Sequence, residues 1–380
     1  MTTEGGPAFL FGHGLPNVLP LAGLHIELGC HPGPAHGYTV PLWYVSPLDE
    51  QVATRASAGL FDRSYLGQHY VVGESDASVV AVLGSVLATD PARVSAGSVT
   101  RAVACREDGT ILDLPLLAHL DDGRWFLLCG AGGHELVHAI EQAIEAAGAE
   151  AADVQVHDRS MYAAVVSLQG PRARDVAAEV LGRELVDTVP RGAAREFLFG
   201  LHRAALFAAS DVGEDGLVLV VEPGTAAEAW HALVAAGATS AGLAAHDALR
   251  LEAGTLEAPR ETPRPATPAA AGLEALVHLA GADGVPRTFT GSAALRAAKP
   301  PERRLAALRL DGPRLAKPGS RVRVAGFDIG ACVAAGWSSV LDAPLALAYL
   351  APALDTLEVE CDGVWQRATR VALPLANLSQ

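Results

Sequence analysis

The last fifth of this chain is broken into six short runs with strand-like patterning, and no helical spacing interrupts them. The runs are Arg304–Leu310, Arg321–Val324, Asp328–Ala334, Leu345–Tyr349, Thr356–Cys361 and Gln366–Val371. Turn residues separate them, notably Asp311-Gly312, Lys317-Pro318-Gly319 and Asp362-Gly363. Such a stretch can bury its apolar faces only by closing on itself, so it predicts a small all-β barrel or sandwich.

The preceding 300 or so residues read differently. The spacing of Gln51–Phe61 predicts a helix, with a strand following around Gln68–Val72. Val79, Val80, Leu83 and Leu87 form a stripe on a helix over Glu74–Ala88, which Ser75 or Asp76 can cap. Val99–Cys105 and Ile111–Leu117 flank Glu107-Asp108-Gly109, a hairpin signal. A strand at Trp125–Cys129 and a helix at His134–Ala147 complete the cycle.

A second cycle runs through a strand at Ala163–Leu168, a helix from Pro171 to Leu181, strands at Arg203–Ala209 and Leu217–Val221, and a helix at Ala226–Ala236. Leu243–Ala253 is a further helix closed by Gly254. The pattern reads as α+β: two α+β lobes followed by a C-terminal β-barrel or sandwich. The expected divisions are 1–155, 156–300 and 301–380. Prolines 259, 263, 265 and 268 make Glu257–Ala271 stiff and extended, either a linker or an ordered crossing loop.

Composition narrows the function. The chain has 380 residues, half of them apolar, and a formal net charge of −15. That field argues against nucleic acid and anionic membranes as partners. No apolar run reaches the roughly 18 residues of a membrane span. The N-terminus lacks the basic-then-apolar pattern of a secretory signal. Five scattered cysteines without Cys-x-x-Cys spacing suggest reduced, buried thiols in a cytoplasmic protein. His13, His25, His31 and His36 cluster near the start, but at no metal-ligand spacing, so no metal is expected.

Several motifs, in order along the chain, resemble the aminomethyltransferase family, the T-protein of glycine cleavage and its folate-dependent one-carbon relatives. They are Ala58-Gly59-Leu60-Phe61-Asp62-Arg63-Ser64, Gln169-Gly170-Pro171, Gly213-Glu214-Asp215-Gly216, and Asp247-Ala248-Leu249-Arg250-Leu251-Glu252-Ala253-Gly254. Ile329-Gly330 and Ala346-Leu347-Ala348-Tyr349 resemble the family's C-terminal barrel. The Lys-Gly-Cys-Tyr motif of the iron–sulfur-assembly relatives is absent. The resemblance implies the three-part fold around a central cavity, with tetrahydrofolate as the cofactor; the residues themselves fix none.

The functional positions implied by the resemblance are exchanged. The pterin-gripping Glu falls at Val218, and the Tyr before the Gly-Glu-Asp-Gly turn at Asp211. The catalytic Asp falls at Leu114, with Asp113 kept beside it. Strand alternation would turn Asp113 away from the site unless a bulge intervenes. A family Tyr falls at Arg101, a family Arg at His246, and a family His at Tyr65.

The exchanged set suggests new chemistry. His246, Asp211 and Asp113 are the candidate catalytic residues, with His246 as acid or base. Arg101, Tyr65, Tyr44 and Arg250 are the candidate substrate contacts, with Trp43 beside Tyr44 in an aromatic wall. Plainer roles stand beside these: a surface ion pair for Arg101, a helix-end ring for His246, a turn residue for Asp211, a structural helix tie for Arg250, and core packing for both tyrosines.

Three readings remain open at this level. One is a diverged family enzyme acting on a small molecule, in specialised metabolism, by acid/base chemistry in the old folate cavity. Another is a tetrahydrofolate-dependent transferase of methyl or methylene groups with an altered folate pose. The third is a non-catalytic ligand-binding or partner protein. A small-molecule substrate and a monomer or homodimer are expected.

Overall fold

The structure is a computed structural model that describes residues 17–130, 133–160, 162–351 and 357–375. His13 lies outside these residues. Two antiparallel-dominated sheets form its centre. One has five strands: Gln155–Asp158, Gly67–Val72, Arg124–Cys129, Leu116–Asp121 and Ser98–Arg101, in spatial order. The other has six: Ala194–Phe199, His202–Phe207, Gly216–Val221, Ala164–Gln169, Gly59–Asp62 and Thr239–Ser240.

The two sheets meet face to face through an apolar layer. Phe126, Leu128 and Ala118 from one side pack with Val165, Phe207, Val218 and Val220 from the other. The rings of Phe126 and Phe207 stack at 5.3 Å. Helices cover the outer faces. Asp76–Val86 and His134–Ala147 bury Val79, Leu83, Leu136 and Ile140 on the first sheet. Ala173–Leu181 and Pro223–Ala235 bury Val176, Ala229 and Trp230 on the second. Strand 164–169 is therefore covered on both faces, and every one of its residues is buried. The last strands close into a six-stranded barrel.

The sheets exchange strands across the expected division at residue 155. Gly59–Asp62 pairs with Ala164–Gln169, and Gln155–Asp158 pairs with Gly67–Val72. The helix expected over 51–61 instead spans Pro47–Ala56. Ser46 accepts a bond from the Asp49 N–H and Pro47 opens the first turn, so the helix starts early. It stops at Ser57, whose φ −146° and ψ −97° are not helical, and Gly59 already opens the next strand.

The proline-rich segment is an ordered crossing loop with a short helix at Pro268–Ala271, rather than an extended strap. Ala266 O accepts from the Ile111 N–H, which ties the loop to the first half of the chain.

The Gln-Gly-Pro motif acquires a steric reason. Gly170 has φ +132°, and a β-carbon there would lie 2.5 Å from Ser57 O and 2.6 Å from Thr54 O. Both clashes are with backbone, so neither neighbour can step aside. Gly170→Ala should cost at least ~2 kcal/mol through combined strain and overpacking. Urea denaturation checks this; a loss below ~0.5 kcal/mol would rule out the steric account.

Candidate functional site

Strand Gly59–Asp62 ends in a turn that delivers Arg63 to the seam between the sheets and helix Leu243–Ala253. Arg63 is 6% exposed and makes three charged or polar contacts. Its Nη1 donates to Asp211 Oδ2 at 2.8 Å and to His246 Nε2 at 2.6 Å. Its Nη2 lies 3.4 Å from Glu257 Oε1. The guanidinium also sits over the Tyr65 ring, which stacks flat on His36 at 4.2 Å. Asp211 is shared: Arg101 Nη2 donates to its Oδ1 at 2.5 Å. One carboxylate therefore clasps two arginines. Burial alone would raise the Asp211 carboxyl, but Arg101 and Arg63 together hold it well below the usual carboxylate range.

His246 is defined by this clasp. An arginine can only donate, so His246 Nε2 must carry its lone pair there and the ring proton sits on Nδ1. Nδ1 is buried without a partner. Burial and the neighbouring Arg63 push the imidazole down to about 3, so the ring is neutral across the physiological range. Its edge meets Phe61.

A cavity of about 40 Å³ lies beside the clasp. Arg63, Arg101, Asp113, Leu114, Asp211 and Arg250 are among its walls, together with Cys129 and Gly130. Asp113 thus faces the same space as Leu114, contrary to the alternation expected along a continuous strand. The strand ends at Asp113, and its ladder with Ala104–Cys105 already shifts register. The carboxylate folds back to accept from the Leu114 N–H at 2.8 Å and the Gly130 N–H at about 3.1 Å. Burial pushes this carboxyl up to about 6, against the pull of those two N–H groups.

Other expected contacts stand elsewhere. Tyr44 is not among the cavity walls. Its hydroxyl bonds His25 Nδ1 at 2.7 Å, and His25 Nε2 bonds Asp62 Oδ2 at 2.8 Å, a chain inside the second sheet's outer layer. Trp43 stacks on His31. Tyr65 lies behind Arg63, and its hydroxyl meets Glu257 Oε1 at 3.4 Å. Arg250 is tied up by a fork to Glu261, by Asp247 and by Thr255 O. Among the described residues, no group of three His, Cys, Asp or Glu could hold a metal ion. The residue that sequence reasoning missed is Arg63. Its only signal was its place inside the Asp62-Arg63-Ser64 motif.

The comparisons agree along most of the chain. The family model for the GCVT N-terminal domain matches residues 21–281, and that for the glycine cleavage T-protein C-terminal barrel domain matches 303–376. The chain belongs to the aminomethyltransferase (glycine cleavage T-protein) family. An aminomethyltransferase of Streptomyces coelicolor is 32% identical over 362 residues, covering 92% of this chain and 95% of that one. One from a Synechococcus strain is 33% identical, covering 93% and 97%. The crystal structure of glycine cleavage system aminomethyltransferase T from Bartonella henselae superposes with a TM-score of 0.83 at 26% identity, covering 96% of this chain and 99% of that one.

Within this aminomethyltransferase-family chain, the central cavity is walled by Arg101, Asp211, Asp113 and Leu114. Val218, which the resemblance sets at the pterin-gripping position, is sealed in the apolar layer between the sheets. The Arg101–Asp211 pair stands in the cavity wall.

Proposed function

We propose that this member of the family acts on a small polar molecule by proton transfer at the central cavity, without tetrahydrofolate in the family's pose. The observation that carries this reading is Asp113: a buried carboxyl, facing the cavity, with its pKa pushed up to about 6. A carboxyl in that range can both hold and release a proton near neutrality. Arg101 is the substrate anchor, because its side chain is 24% exposed while Arg63 beneath it is not. Asp211 and His246 act through the arginines as positioning residues. Asp211 fixes both guanidinium groups, and neutral His246 accepts from Arg63.

A gene deletion in the source organism tests this, followed by metabolite comparison and reintroduction of the wild-type or Asp113→Asn gene. Wild type should restore the missing metabolite and Asp113→Asn should not. Tetrahydrofolate titrated into the purified protein should show no micromolar binding. Restoration by Asp113→Asn, or tight folate binding, would overturn the proposal. The small cavity also favours a second reading, a non-catalytic ligand-binding protein. A deletion that changes no metabolite would support that one.

The Asp113 carboxyl also makes a stability prediction. Its folded pKa lies above its unfolded value, so the folded state binds the proton more tightly. Stability attributable to this group is present below pH ~4 and is lost as pH rises toward 6. Two pKa units correspond to roughly 3 kcal/mol. The stability difference between wild type and Asp113→Asn should therefore shift by about that amount between pH 4 and pH 7, in favour of the variant. Parallel denaturation curves across that range would show that Asp113 is not perturbed.

A further inference from the structure

The largest cavity described lies outside the central site and shares no lining residue with it. It is a groove of about 1050 Å³ between the proline-rich crossing loop and the C-terminal barrel. That volume matches the upper range of small-molecule pockets. Its apolar walls come from Pro265 and Pro268 on the loop, Val277 and Leu295 on the segment after it, and Val333 on the barrel. The walls are held in place before any ligand arrives. The prolines have fixed φ, the Tyr349 hydroxyl donates to Glu261 O at 3.2 Å, and Thr267 caps the short helix. A groove that needs no ordering on binding spends less of its contact energy on entropy.

Charge selects among ligands. Arg264, Lys299 and Arg303 lie along the groove, and none has an ion-pair partner among the described residues. Of the two acids beside them, Glu274 is already paired with Arg304, which leaves Glu302. On a chain of net charge −15, three unpaired cations over an apolar groove form a local basin for an anion.

We propose that this groove is a second ligand site, for a small amphipathic anion whose apolar body lies on the loop and barrel walls and whose acid group meets Lys299 and Arg303. Fluorescence titration of the full chain with anilinonaphthalene sulfonate tests it, with decanoate and decanol as competitors. The expected result is saturable binding of one dye per chain, displaced by decanoate at least tenfold more effectively than by decanol. Ala298→Trp, which places bulk in the groove at an exposed position, should weaken binding tenfold or more. The double variant Lys299→Glu, Arg303→Glu should abolish the preference for decanoate over decanol. Non-saturable dye uptake, or saturable binding that neither variant alters, would overturn the proposal.

Discussion

Glu252→Ala should cost this protein roughly 3–5 kcal/mol, the expected penalty for breaking a buried ion pair from one side. Glu252 is fully buried on helix Leu243–Ala253. Its Oε2 accepts from Arg55 Nη2 at 2.8 Å and Nε at 3.3 Å. Its Oε1 accepts from Ser338 Oγ at 2.7 Å and the Val340 N–H at 3.2 Å, both on the barrel side. Arg55 in turn donates to Val212 O and Glu214 beside the Gly-Glu-Asp-Gly turn. One carboxylate thus joins helix Pro47–Ala56, the second sheet's hairpin and the barrel. Its loss would leave Arg55 charged and the two barrel donors unpaired. Chemical denaturation checks the magnitude, and limited proteolysis should find the barrel released early. A loss under ~1 kcal/mol with unchanged proteolysis would show that the barrel is held by apolar contact alone.

Asp211→Ala should have a comparable effect with a different signature. It would leave Arg63 and Arg101 side by side with their shared carboxylate gone, and Arg63 is nearly fully buried. A destabilisation of roughly 3–5 kcal/mol is expected. The unpaired guanidinium groups should also gain affinity for a small oxyanion, which matches an arginine fork in shape and charge. Millimolar sulfate should therefore raise the variant's melting temperature several degrees more than that of wild type. Equal sulfate responses would mean that Arg63 and Arg101 find other partners. His246 offers an independent check: NMR titration should find its ring neutral down to about pH 3 in the wild type.

Much of the architecture was legible because local patterns carried it. His134–Ala147 and Leu243–Ala253 have the expected limits, since amphipathic spacing and a closing glycine act within a few turns. The six barrel runs were legible for the same reason. The strand exchange was not, because strand pairing is a choice among distant partners that alternation cannot rank. The site divided along the same line. The resemblance would set Arg101, Asp113, Asp211 and His246 around one cavity; the first three are among its walls, and His246 stands behind Arg63 outside them. The orientation of Asp113 depended on where one strand stops. Tyr44 depended on a histidine 19 residues away that draws its hydroxyl outward.

The sequence by itself determined the family scaffold, the run of barrel strands, and which polar types stand at positions 101, 113, 211 and 246. Periodicity, turn chemistry and motif spacing are properties of neighbouring residues. Tertiary structure alone decided their states. Arg63, the exchanged set's silent neighbour, meets Asp211 across 148 positions and His246 across 183. That approach in a dry interior fixes the His246 ring as neutral and the Asp211 carboxylate as ionised, while burial separately raises the Asp113 carboxyl to about 6.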